Sequence, residues 1–154
     1  MPLGIHEIDT TVPFTPPERL YRRISPLELD ELGEITPDQF ESISFKKEQE
    51  SAPSVLRERF SVPADALHRD CADGKDFSSW RVFAITVGQL PTAVTSMDGR
   101  VFDFFPVHIP LQVCGAHSVI SSCLASDTAR KYICPPRNVR NDLRTKLAIG
   151  FRPA

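Results

Sequence analysis

Glycine and tryptophan are scarce in this 154-residue chain, with 7 and 1 copies, and no glutamate follows Glu58. Few glycines leave few places for left-handed backbone or for close backbone approach. No stretch nears the roughly 18 apolar residues of a membrane-crossing helix. Met1 to Thr11 carries acids and no apolar core segment, so it does not read as a secretory signal, and the expected compartment is a reducing cytoplasm. The G-x-S-x-G elbow, the phosphate-cradling P-loop and the G-x-G-x-x-G turn are all missing. A hydrophobic share of 41% excludes a disordered tail, and a net charge of −2 excludes a uniformly basic nucleic-acid binder.

Proline, by contrast, is abundant: 14 copies, roughly twice the ordinary share of about 5%. Stiff breaks at this frequency predict short elements. Residues 1–17, punctuated by Pro13, Pro16 and Pro17, read as an extended arm, and residues 18–154 as a single domain. Arg19 to Ile24 is expected as a strand, because Ser25 precedes Pro26 and is pushed away from helical geometry. Ser25-Pro26-Leu27-Glu28 and Thr36-Pro37-Asp38-Gln39 each carry a capping hydroxyl, a first-position proline and a third-position Glu or Gln, the signature of a helix start. A short strand is predicted from Ser42 to Phe45, followed by further short helices over Pro53 to Phe60 and Pro63 to Cys71.

Trp80 to Val87 is apolar on both faces and predicts a strand covered on both sides. Asp98-Gly99 predicts a hairpin joining Ala93–Met97 to Arg100–Phe105. Pro106 should end the second strand or place it at an edge. His117 to Ser121 reads as a further strand. Ser126 should cap a turn carrying Ala129, Tyr132 and Ile133. Val139, Leu143 and Leu147 fall every fourth residue, the stripe of an amphipathic helix ended by Gly150. The expected fold is α+β: a small, mainly antiparallel sheet with short helices and a C-terminal amphipathic helix. Its core should draw on Leu20, Ile24, Phe45, Trp80, Val82, Phe83, Ile85, Val87, Phe102, Phe104, Val119, Ile120, Tyr132, Leu143 and Leu147.

Charge is segregated. Residues 1–60 hold 12 acids and 7 bases; residues 61–154 hold 8 acids and 11 bases. Arg137, Arg140, Arg144 and Lys146 form a candidate anion-binding set on the last helix. Arg140 and Arg144 stand i,i+4, an arrangement that repels unless an anion or a carboxylate from the acidic half neutralises it. Arg22 and Arg23 are a second candidate. Adjacent strand residues point to opposite faces, so one should turn inward and need a partner, either a ligand phosphate or a carboxylate such as Asp103.

His117, with Ser118, Ser121, Ser122 and Cys123 around it, is the candidate general acid/base if the protein is an enzyme. Cys114-x-x-His117 is a weak metal pair, with His108, Cys123 and Cys134 at irregular spacing around it, and no metal or other cofactor is expected. The four cysteines, Cys71, Cys114, Cys123 and Cys134, are expected as buried free thiols. Phe102, Phe104 and Phe105 offer stacking surfaces, or core.

Leu20-Tyr21-Arg22-Arg23-Ile24, the strand from Trp80 to Leu90, and Ala116-His117-Ser118-Val119-Ile120 followed by Ala129-Arg130-Lys131 stand in an order that resembles a group of small, uncharacterised bacterial proteins. That group opens with an L-Y-R-R-I strand and carries an A-H-x-x-I segment. It tends to have Asn-Pro before the Ala-His, where this chain has Val113-Cys114-Gly115. The resemblance implies a bacterial, single-domain protein and brings no activity. The L-Y-R opening also resembles ADP-ribosyltransferase-like folds, in which a first-strand arginine touches cofactor phosphates. Their Ser-Thr-Ser strand and late glutamate are missing here.

Two functions follow as expectations. One is a non-catalytic binding module in a larger bacterial assembly. Its basic C-terminal segment would contact an acidic protein surface, a nucleotide or a short nucleic acid, in a hetero-complex and without a membrane. The other is a small enzyme acting on a phosphate-containing substrate, of nucleotide or ADP-ribosyl type, through Arg22 or Arg23 and His117. The enzyme requires those side chains to converge in one pocket.

Overall fold

The computed structural model describes residues 1–36 and 52–154. The predicted helix start at Thr36–Gln39, the strand at Ser42–Phe45 and the core position Phe45 therefore lie wholly or partly outside the described residues. Among the described residues seven strands form one antiparallel sheet: β1 Arg19–Ile24, β2 Ser54–Arg57, β3 Arg81–Thr86, β4 Val94–Thr95, β5 Val101–His108, β6 His117–Leu124 and β7 Arg152–Pro153, in the order β4-β5-β6-β2-β1-β3-β7. One α-helix among the described residues, α1 Arg137–Gly150, precedes β7. The fold is thus α+β, as expected, but dominated by its sheet.

Alternating side chains give the sheet two apolar faces. On one, Leu20 and Ile24 of β1, Phe83 and Ile85 of β3, and Val139, Leu143 and Leu147 of α1 share the main core. The every-fourth stripe of α1 is the seam that docks there. On the other face a smaller cluster gathers Tyr21, Leu56, Ala66, Ala84, Ala116 and the half-cystines Cys71 and Cys114. β3 contributes to both clusters, as its two-sided apolarity implies.

The segments expected as short helices are mostly single 3-10 turns. Ser25 does cap, its Oγ accepting from the Leu27 N–H (3.3 Å). The turn covers only Pro26–Glu28, because Leu29 then bridges to Ile35. Ser54–Arg57 is a strand between β1 and β6, with a 3-10 turn only at Glu58–Phe60. A short segment flanked by a strand on each side gains more from the sheet than from one helical turn. Pro63–Leu67 and Arg69–Cys71 are separate 3-10 turns. After Ser126 no helix forms: the Asp127 carboxylate accepts from the Ala129 and Lys131 amides, and Arg130 is left-handed (φ 51°). β5 runs through Pro106, which pairs with Ile120 on the β6 side. Two-residue β4 covers only Val101 and Phe102, so the proline sits where β5 is an edge.

Residues 1–17 lie along the domain. Arg57, fully buried, holds them: its Nε and Nη2 donate to the Glu18 carboxylate (3.0 and 2.9 Å), and Nη1 donates to the Val12 carbonyl (2.8 Å). The Phe14 ring lies 3.9 Å beneath the guanidinium. Further back, Gly115 N–H donates to Leu3 O (2.7 Å). A Cβ on Gly115 would stand 2.8 Å from Ile8 Cδ1 and 3.0 Å from Gly4 O, so the arm can lie this close only against glycine.

Cys71 and Cys114 form a disulfide, with Cα atoms 5.2 Å apart, which corrects the expectation of four free thiols. Cys123 and Cys134 are free. Burial, with Asp103 second, pushes the Cys123 thiol up, making it an inert core residue.

Candidate functional site

Pairing carries a row of side chains across the second face. Ala84 opposes Tyr21, Tyr21 opposes Leu56, and Leu56 opposes His117, so these four stand on one side of β3, β1, β2 and β6. Arg23, two residues beyond Tyr21, shares that side. β1 and β2 pair only at Leu20 and Tyr21 and then part. The parting opens a cleft of about 870 Å³. Its walls are β1 and β2, the turns and loop from Ala66 to Trp80, and Leu111 and Val113 before β6. The Cys71–Cys114 bond ties the last two walls together.

Arg22, Arg23 and His117 all line this cleft. Strand alternation alone would have sent the two arginines to opposite faces. Arg22 instead reaches through the parting of the strands, donating from Nη1 to Ser54 O (2.8 Å). Burial, and then the Arg23 charge beside it, pushes its pKa down to about 10. Arg23 lies over the Phe77 ring (4.4 Å) and donates from Nη1 to Cys71 O (3.1 Å) and Ala66 O (3.5 Å). Burial lowers its pKa as well. Among the described residues Arg23 has no carboxylate partner. Asp103, the carboxylate considered for this role, instead accepts from the Ala93 amide (2.8 Å).

His117 Nδ1 lies 2.9 Å from Ile109 O. A carbonyl only accepts, so Nδ1 carries the proton. Burial lowers the imidazole pKa against the raising effect of that hydrogen bond, and Arg23 and His108 lower it further. The ring is therefore neutral near pH 7, with Nε2 as its acceptor nitrogen. Nε2 has no hydrogen-bond partner among the described residues. A fixed tautomer, an open basic nitrogen and two nearby guanidiniums are the parts of a site that holds an anion and removes a proton beside it.

Cys114 and His117 are not a metal pair here. The Cys114 sulfur is bonded to Cys71, and His117 Nδ1 is held by Ile109 O. Arg69, Phe77 and Trp80, with the carboxylates of Asp70 and Asp73, also line the cleft, and none of the five stands out as a site residue in the sequence. Trp80, expected in the core, is half-buried at the cleft, its ring 4.5 Å from that of Phe77. A signal for these aromatics exists: Phe77-Ser-Ser-Trp80 sits in a stretch of Asp, Gly, Lys and Ser with no apolar period, where a ring has no core to join. Phe102 and Phe104 are core, and Phe105 lies under Arg130 (4.9 Å).

The basic C-terminal residues are dispersed along α1. Arg140 Nη1 donates to Pro135 O (2.7 Å), Arg144 Nη1 donates to Asn141 Oδ1 (2.7 Å), and Lys146 pairs with Asp142 (2.8 Å). Arg137, alone of the four, has no such bond among the described residues. No helix among the described residues is long and apolar enough to cross a membrane. Comparison with known protein families, curated proteins and solved structures gives no match for this chain.

Proposed function

We propose that this cleft binds a phosphate-containing substrate and that the protein is a small enzyme acting on it. The observation that carries the proposal is the meeting of Arg22, Arg23 and His117 in one cleft. Arg23, bonded only to backbone carbonyls and with no carboxylate partner among the described residues, gains from an anion that offers oxygens to its N–H groups. The phosphate fixes the substrate, and His117 Nε2 takes a proton from a hydroxyl or water brought up to the reacting centre.

The binding-module hypothesis keeps one observation in its favour: Arg137 stands at the surface without a partner among the described residues. Its remaining cations are each engaged within α1 or with Pro135 just ahead of it, so the C-terminal segment is the weaker seat for an anionic partner. The Cys71–Cys114 bond also favours an oxidising compartment over the cytoplasm expected from sequence.

The test is a panel of phosphate monoesters and diesters assayed for turnover and, by calorimetry, for binding. His117→Gln should abolish turnover and leave affinity within about threefold, and Arg23→Gln should weaken binding at least tenfold. If the wild-type protein neither binds nor turns over any member, the proposal fails.

A further inference from the structure

We infer that the substrate is a nucleotide, with its base laid on Trp80 and its phosphate held by Arg22 and Arg23; this rests on the phosphate-binding reading of the same cleft. Three observations point the same way. First, the cleft joins two chemistries that a phosphate alone does not need. Arg22 and Arg23 stand on the sheet, and the aromatic side chains Phe77 and Trp80, from the loop before β3, line the same cleft. Second, the spacing is short. The Arg23 guanidinium carbon is 4.4 Å from the Phe77 ring centre, and that centre is 4.5 Å from the Trp80 ring, so indole and guanidinium lie within about 9 Å of each other. A single ribose bridges such a span. Third, the two rings are not equally available. Phe77 already carries the Arg23 cation on its face, whereas Trp80 is half-buried and packs against Phe77 at a steep angle (71°). A buried indole of purely structural use would sit in one of the two apolar clusters, and Trp80 belongs to neither.

Stacking does not discriminate strongly among bases, since each has a π-face. The assignment is therefore to nucleotides as a class. His117 stands on the sheet side with Arg23 close enough to depress its pKa, so the proton is removed at the phosphate–ribose end of the ligand and not at the base.

Trp80 is the chain's single tryptophan, so its fluorescence reports on this wall alone. The wild-type protein is titrated with inorganic phosphate, ribose 5-phosphate, adenosine, AMP and UMP, following fluorescence and heat. The expected result is that AMP or UMP binds at least tenfold more tightly than ribose 5-phosphate and quenches the emission, while ribose 5-phosphate binds without quenching. Trp80→Leu should bring the nucleotide down to the affinity of ribose 5-phosphate and leave ribose 5-phosphate itself unchanged. Trp80→Phe, which keeps a π-face, should restore most of the difference. Equal affinity of nucleotide and ribose 5-phosphate in the wild-type protein overturns the nucleotide assignment and leaves the phosphate site standing. Adenosine binding as tightly as AMP, or no binding by any phosphate compound, overturns both.

Discussion

Replacing Cys71 and Cys114 together with serine removes a bond that closes 43 residues of chain, a span that holds β3, β4 and β5. If the bond acts by limiting the unfolded ensemble, a loop of that length is worth about 4 kcal/mol at 25 °C. For a domain of this size that corresponds to a fall in Tm of about 10 °C. Both half-cystines are buried within an apolar cluster that a serine pair of similar volume leaves largely intact. The loss should extend to the cleft, because Arg23 Nη1 donates to the Cys71 carbonyl and the bond holds that wall to Leu111 and Val113. Urea denaturation of the double variant, alongside wild-type protein with and without a dithiol reductant, measures the stability term. Ribose 5-phosphate affinity measures the second. Variant and reduced wild type should agree within about 1 kcal/mol, and both should bind more weakly than the oxidised protein. A double variant as stable as wild type, or an intact mass under non-reducing conditions showing all four cysteines as thiols, would refute the reasoning.

Three further outcomes are expected. Glu18→Ala strands the fully buried Arg57 charge and should cost about 3–5 kcal/mol by denaturant unfolding, and a cost below about 1 kcal/mol would mean the pair does not hold the arm. His117 has its pKa lowered in the folded protein, so the unfolded chain binds more protons below about 6.5, and stability should fall as pH drops through that window. His117→Gln should flatten this dependence, and an unchanged slope would show that the imidazole is not held neutral. For the same reason turnover should fall on an acid limb with an apparent pKa below about 6.5, read from the pH profile of kcat/KM; a limb above 7 would contradict it.

The elements that could be read from the chain are those whose periodicity the packing uses. Val139, Leu143 and Leu147 define α1, and two-sided apolarity defines β3. Asp98-Gly99 makes its turn, with Gly99 left-handed (φ +85°) and the Ser96 hydroxyl bonded to the Asp98 carboxylate. Capping signals misled, because they mark where a helix can start and not whether enough apolar residues follow to propagate it. Ser25 caps a single turn. Ser54–Arg57 is a strand only because β1 and β6 flank it, and local sequence holds no record of those neighbours.

At the site, Arg22, Arg23 and His117 stood out by residue type. Their convergence depends on β1 and β2 parting after Tyr21, which no spacing encodes. The Cys71–Cys114 pairing, between residues 43 positions apart, was equally invisible, since connectivity follows the fold and not the cysteine count.

The central claim is that the anion site lies in the cleft and not on the C-terminal helix. Calorimetric titration of ribose 5-phosphate into wild-type protein, an Arg22→Gln/Arg23→Gln variant and an Arg140→Gln/Arg144→Gln variant tests it most directly. Binding at least tenfold weaker in the first variant and unchanged in the second is the predicted result. The reverse pattern, or wild-type protein that takes up no phosphate compound, would contradict it.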